Sequence, residues 1–178
     1  MNKAQITVQQ ILQAALAVAA EKGPGKVTLD AVAQASGLSK GGLLYHFPSK
    51  EALLSAMVQF LVDDAEHSRQ QFVATESSKL AAFLKARECF TQQLSSNTAM
   101  AILAAAAEQP ALLKPLQQHN RKVFNDILAE HHHSPEVMSL LLVSEALTFH
   151  QLLNISPLTP EQHSQLENYM TIRAQELR

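Results

Sequence analysis

Apolar residues recur along this chain with the period of an α-helix, almost from end to end. In the first segment Val8, Ile11, Leu12, Ala15 and Ala19 fall on one face. The run Glu21-Lys22-Gly23-Pro24-Gly25 then stops the pattern, because glycine and proline together break a helix. Thr28 is placed to cap a second helix, with Asp30 in its first turn and Leu29, Val32 and Ala33 on its buried side. Gly37 ends it within two turns. Ser39 can cap a third short helix, which stops before Pro48, and Leu44 and Phe47 are expected to face its core. Ser49 caps a fourth, whose apolar positions Leu53, Leu54, Met57, Leu61 and Ala65 carry it to about Phe72.

Longer helices with terse connections follow. The pattern predicts them over about 78–94, 99–107, 115–130, 135–153 and 160–177, with S-S-N-T (95–98) as a loop. Ser134-Pro135-Glu136 and Thr159-Pro160-Glu161-Gln162 both read as helix starts, the second with a glutamine placed to close a capping box. No segment alternates apolar and polar positions as a half-buried strand would. The expectation is an all-α chain of about nine helices.

Composition narrows the class. Hydrophobic residues make up 47% and charged residues 17% of the 178, the balance of a globular chain. No run of 18 apolar residues indicates a spanning helix. The first ten residues lack the apolar core of a signal peptide. The single cysteine, Cys89, can form no internal disulfide and reads as a small buried hydrophobe, so a reducing cytoplasm suits the chain. Charge is uneven. Residues 1–50 carry five lysines against Glu21 and Asp30, a net +3; the remainder carries nine basic residues against fourteen acidic, a net −5. A basic head on an acidic body points to a head that meets a polyanion.

The two short helices, over about 28–35 and 39–46, are joined by a tight turn at Gly37. This is the spacing of a helix-turn-helix, whose second helix enters the major groove of DNA. Gly41 and Gly42 lie near the start of that helix, where glycine weakens it by about 1 kcal/mol relative to alanine. A residue without Cβ lets the main chain approach another surface closely, and first-turn N–H groups favour phosphate. Lys40 adds charge beside them, and Tyr45 and His46 carry donors for phosphate oxygens or base edges. Lys50 follows at the next helix start.

The stretches I-L-Q-A-A-L-A-V-A-A-E-K-G (11–23) and V-T-L-D-A-V-A-Q-A-S-G-L-S-K-G-G-L-L-Y-H-F-P-S-K-E-A-L-L (27–54) resemble the DNA-binding domain of TetR/AcrR-type transcriptional regulators. The resemblance covers about the first third of the chain. It implies a homodimeric all-helical repressor: a three-helix DNA-binding domain over 1–50, and a helical effector-binding and dimerisation domain over 51–178, with the helix from Ser49 shared. It implies release of a palindromic double-stranded operator when a small molecule binds. By the same resemblance Thr28, Lys40, Tyr45, His46 and Lys50 take phosphate or groove positions, beside the capping Ser39. Gly41, Gly42 and Leu43 take close-approach or base-reading ones. Leu43 stands where the family often has threonine; leucine can press on a thymine methyl but cannot hydrogen-bond a base. The N-terminal arm offers only Lys3 as a cation.

In the body, 137–147 is apolar on nearly every side, so that helix needs cover on more than one face. Leu166, Met170, Arg173 and Leu177 form a stripe on the last helix. Helices 135–153 and 160–177 are therefore expected to pair with their copies in a four-helix dimer interface through Leu141, Leu147, Leu166, Met170, Arg173 and Leu177. The helices from 78 to 130 are expected to enclose an effector site. Phe83, Phe90, Met100, Leu103, Phe124 and Ile127 would line it, with Glu108 and His119, and also Gln93 and Asn120, as polar groups. An apolar or amphipathic small molecule fits that lining. His131-His132-His133 reads as a solvated loop, and no metal or cofactor is expected. The G-x-S-x-G at 37–41 matches a hydrolase nucleophile elbow, but no strand precedes it and Ser39 is already used as a cap. The expectation is that the chain is not an enzyme. The alternative is a non-sensory architectural or recruitment factor using the same head, against which a body of about 120 residues argues, being large for dimerisation alone.

Overall fold

The computed structural model describes residues 3–177, with side chains from Thr7 onward apart from Pro24. The expectation for Lys3 lies outside the described side chains. Among the described residues there are nine α-helices and no strand. They are α1 (Lys3–Lys22), α2 (Leu29–Ser36), α3 (Lys40–His46), α4 (Lys50–Val73), α5 (Lys79–Gln93), α6 (Ser96–Glu108), α7 (Lys114–Glu130), α8 (Pro135–Leu153) and α9 (Pro160–Glu176). Short 3₁₀ turns at Pro24–Lys26 and Pro110–Leu113 join α1 to α2 and α6 to α7.

Hydroxyl caps set most of the starts. The side chains of Thr28, Ser39, Ser49, Ser78 and Ser95 each accept from the main-chain N–H three residues on, at 3.1–3.2 Å. Each such cap stabilises its helix by about 1 kcal/mol. Thr159 and Gln162 close the expected capping box, at 3.2 and 2.9 Å. Two expectations change. S-S-N-T is no loop, because Ser95 caps α6 and the helix begins at Ser96. Ser134 makes no side-chain cap bond, so the start of α8 rests on Pro135 and Glu136.

The chain divides into two compact units: residues up to Val62 with Ser95–Leu116, and Asp63–Leu94 with Gln117–Arg178. The expectation divides the chain after residue 50, with the helix from Ser49 shared between the two domains. In the structure α4 contributes its first half to one unit and its second half to the other, and α6 belongs with the head rather than with the body over 51–178. In the first unit Ile11, Ala15, Val32, Leu43, Leu53 and Met57 share a core with Ala101 of α6 and Leu112. Asn97 also donates to the Ala20 carbonyl at 2.7 Å. The small side chains of α6 carry no long-range signature, so sequence periodicity cannot assign the helix to either body.

The second unit has its own core, built from Leu80 and Phe83 of α5, Val123 and Ile127 of α7, Val137 and Leu141 of α8, and Met170 and Ala174 of α9. The mean hydropathy of α8, 1.2 over 19 residues, is by length and composition enough to cross a bilayer, which the apolar-run criterion did not flag. Its Val137, Leu140, Leu141 and Leu147 are buried in this core, while Leu142 is 61% exposed.

Candidate functional site

The head is built so that α3 is presented from a fixed corner. Gly37 ends α2 in the left-handed region, at φ 72°, which a residue without Cβ adopts at no steric cost. Leu38 N–H donates to the Ala33 carbonyl at 3.1 Å, closing the turn. Ser39 then starts α3. Leu43 and Phe47 face inward and anchor it. On the outer side Lys40, Gly41 and Tyr45 are exposed, Tyr45 at 84%. Thr28, Ser39 and Lys50 are exposed as well, and Gly42 and His46 half-buried.

A Cβ built on Gly41 would meet nothing within 4 Å. Its lack of a side chain therefore serves no packing need inside the protein. A Cβ on Gly42 would approach only Ser39 Oγ, at 3.2 Å. Tyr45 and His46 rings meet edge to face with centroids 5.1 Å apart, which orients the phenol outward. Lys40 Nζ lies 2.9 Å from Asp30 Oδ1, an exposed pair that sequence spacing did not reveal. Glu51 opens α4 beside Lys50, its carboxyl held below the usual range by main-chain N–H groups and by Ser49.

One assignment is corrected outright. Leu43 is fully buried in the head's core and has no surface to offer a base. It sits one turn from Phe47 on the inner face of α3. Leu44, which the pattern turns inward, is only half-buried.

The pocket expectation is also redrawn. Met100 and Glu108 of α6 are exposed and Leu103 half-buried, all three in the first unit. Phe83 and Ile127 fill the second unit's core, and Phe124 packs edge-on against Phe83. Phe90 lies against the Arg87 guanidinium, 5.7 Å from its ring centre. Of the secondary candidates, Gln93 is exposed and Asn120 half-buried. His119 faces Glu66, with Nδ1 to Oε2 3.9 Å, and burial pushes its imidazole below its usual value. The reason is general: an apolar stripe at helical spacing is a core stripe unless something holds it open.

A cavity of the second unit lies elsewhere, among α5, α8 and α9, with a volume of about 240 Å³. None of the ten residues expected to line a pocket lines it. Leu147 and Met170, expected at a dimer interface, do. The rest of that interface set moves too. Leu141 is buried, Leu166 and Leu177 pack against the same core, and Arg173 Nε donates to Glu136 at 3.0 Å. The outward row is instead Met138, Leu142 and Phe149 on α8, and Tyr169 and Ile172 on α9. Sequence reading saw that α8 needed two covers but not which side faced which.

Cys89 is half-buried rather than buried. His132 and His133 both have positive φ, 50° and 56°, in the turn that ends α7. Among the described residues no group of three His, Cys, Asp or Glu could hold a metal ion.

A capped, glycine-opened recognition helix on a three-helix core, followed by a separate helical unit, is the architecture of a bacterial regulator. The chain belongs to the tetR family of bacterial regulatory proteins: that family's model matches residues 11–57, and the tetracyclin repressor-like C-terminal domain matches residues 77–173. It is similar to the HTH-type transcriptional regulator BetI of Serratia proteamaculans (strain 568), 29% identical over 129 residues, 68% of this chain. That stretch is 65% of the relative's length, so the match spans just under two thirds of it. Among solved structures, a putative TetR-family transcriptional regulator from Rhodococcus sp. superposes with a TM-score of 0.70 at 20% identity, over 93% of this chain and 97% of that one. AibR, solved with isovaleryl coenzyme A and operator DNA, superposes with a TM-score of 0.64 at 16% identity, over 93% and 96%.

Proposed function

We propose that this chain is a dimeric, ligand-responsive DNA-binding transcriptional regulator, a repressor whose release from a palindromic operator follows binding of a small molecule. The observation that carries the DNA half is Gly41: an exposed glycine in the first turn of α3, with open space where its Cβ would be and Lys40 and Tyr45 beside it. Thr28, Ser39, Lys40, Gly41, Gly42, Tyr45, His46 and Lys50 form the DNA surface. The same fold in AibR accompanies both an acyl coenzyme A and an operator. The regulator performs no catalysis and acts in the cytoplasm, where its DNA lies.

Dimerisation uses the outward row on α8 and α9. In the DNA-competent dimer the two α3 helices stand about 34–36 Å apart, or a multiple, to meet successive major grooves. The effector binds the incompetent arrangement more tightly, and α4, which has residues in both units, transmits the change.

The test is selection of bound sequences from a random DNA pool by the pure protein, followed by titration against the winning site. A two-fold-symmetric site is the expected result. Lys50→Ala lowers the slope of log affinity against log salt by about 0.9, the share of one phosphate contact. Tyr45→Ala weakens binding as well. No enrichment over the starting pool, or unchanged affinity in both variants, refutes the assignment.

A further inference from the structure

The cavity among α5, α8 and α9 has a lining that a purely apolar effector would not suit, though the sequence expectation also allowed an amphipathic one. Its floor carries hydroxyls on an apolar base: Ser144 and Thr148, one turn apart on α8, with Thr91 of α5 opposite, over Leu84, Leu147 and Met170. Ser144 is only 6% exposed, and its hydroxyl has no hydrogen-bond partner among the described residues. That hydroxyl is not among the sealed polar atoms of the core, so it is open to the cavity, where a ligand group can bond to it. Thr91 donates its one proton to the Arg87 carbonyl at 2.8 Å, so across the 3.4 Å to Thr91 Oγ1 it is Thr148 that can donate, leaving the Thr148 lone pairs open to the cavity.

The charges around the cavity are already engaged. Arg87 is paired with Glu145 through Nη2, while its buried Nε–H has no hydrogen-bond partner. Lys85 Nζ lies 2.7 Å from Glu88, with the Glu76 charge also acting on it. Glu167 lies 3.2 Å from His163 Nδ1. Among the described residues each lining cation already has a carboxylate partner, so the Arg87 Nε–H offers a ligand oxygen one hydrogen bond rather than an unmatched charge. The rim adds Gln151 and Gln175, whose amides both donate and accept. At about 240 Å³ the space falls below that of a drug-sized pocket.

We propose that this cavity binds a small neutral polyhydroxylated molecule, a monosaccharide or polyol. Its hydroxyls bond to Ser144, Thr148 and the rim amides and carboxylates, and its C–H face rests on Leu84, Leu147 and Met170. This molecule is the effector, a step that rests on the regulatory reading above. Two of the cavity's three walls, α8 and α9, carry the outward apolar row on their other faces. A ligand that parts α9 from α5 therefore moves the row that would join two copies.

Titration calorimetry and thermal unfolding of the full chain with D-glucose, D-ribose, sorbitol and myo-inositol, each to roughly 10 mM, test the proposal. Benzoate and arginine serve as charged controls. At least one polyhydroxy probe is expected to bind saturably. Ser144→Ala and the near-isosteric Thr148→Val each weaken it tenfold or more, with unchanged far-UV circular dichroism. Gln175→Ala, on the exposed side of α9, weakens it without touching the core, which keeps the test open should a buried variant fail to fold. Binding of none of the four, equal binding to all variants, or a preference for the charged controls overturns the site. Sugar binding that leaves operator affinity unchanged overturns the effector role alone. A chain that enriches no DNA sequence but still binds the sugar refutes the regulatory reading and leaves the cavity assignment standing.

Discussion

Gly41 separates folding from recognition more cleanly than any other residue. Alanine there would touch nothing in the protein and would improve helix propensity by up to about 1 kcal/mol. Gly41→Ala should therefore leave the melting temperature unchanged or raised, while weakening operator binding at least tenfold because the new methyl meets the groove. Differential scanning calorimetry and a DNA titration on one sample check both halves. A second residue-scale case lies in the other unit. Arg69 is 6% exposed and donates two bonds to Glu66, at 2.9 and 2.8 Å. The Arg69 hydrogen bonds, foremost, hold the Glu66 carboxyl at about 2 instead of 4.5. That depressed value stabilises the fold above the ordinary carboxylate range, and the contribution drains away as pH falls from 4.5 toward about 2. His119 acts earlier: burial lowers its pKa from 6.5, so the fold resists its protonation and loses stability as pH drops below 6.5. Thermal unfolding across pH 8 to 3 should show two descending steps. His119→Gln removes the upper one. Glu66→Gln removes the lower and costs about 2–3 kcal/mol at neutral pH, because it strands a buried guanidinium.

Helix starts were legible because each is a local contract between a hydroxyl and an N–H three residues on. Ser39, Ser78 and Thr159 announce their helices within four residues of sequence. Faces were less legible. On α3 the choice between Leu43 and Leu44 turned on a rotation of about 100°, and periodicity over seven residues does not resolve that. On α8 nearly every position is apolar, so the pattern gives no inside. The structure separates Leu141, which is buried, from Leu142, which is not. The two substitutions should behave in opposite ways. Leu142→Asp yields a stable species near 19.5 kDa in light scattering where the parent chain gives twice that. Leu141→Ala lowers stability by about 2–5 kcal/mol and leaves the assembly in place at temperatures where the chain is folded. A parent chain that scatters as a monomer at micromolar concentration removes the dimer.

At the scale of the molecule, the charge division is already written in the chain: a net +3 over residues 1–50 against −5 beyond. The long-range field that favours DNA at the head is thus set by composition, and high salt should weaken operator binding steeply. How the chain divides into bodies is another matter. Local pattern fixed the helices, their caps, the helix-turn-helix and its exposed glycine, because those depend on neighbours within a turn or two. Tertiary packing alone assigned α6 to the head, turned Leu43 inward and Leu142 outward, and brought Ser144, Thr148 and Thr91 to one cavity. Those outcomes depend on which surfaces meet across 50 or more residues of chain. A one-dimensional period records that a face must be covered, but not by what.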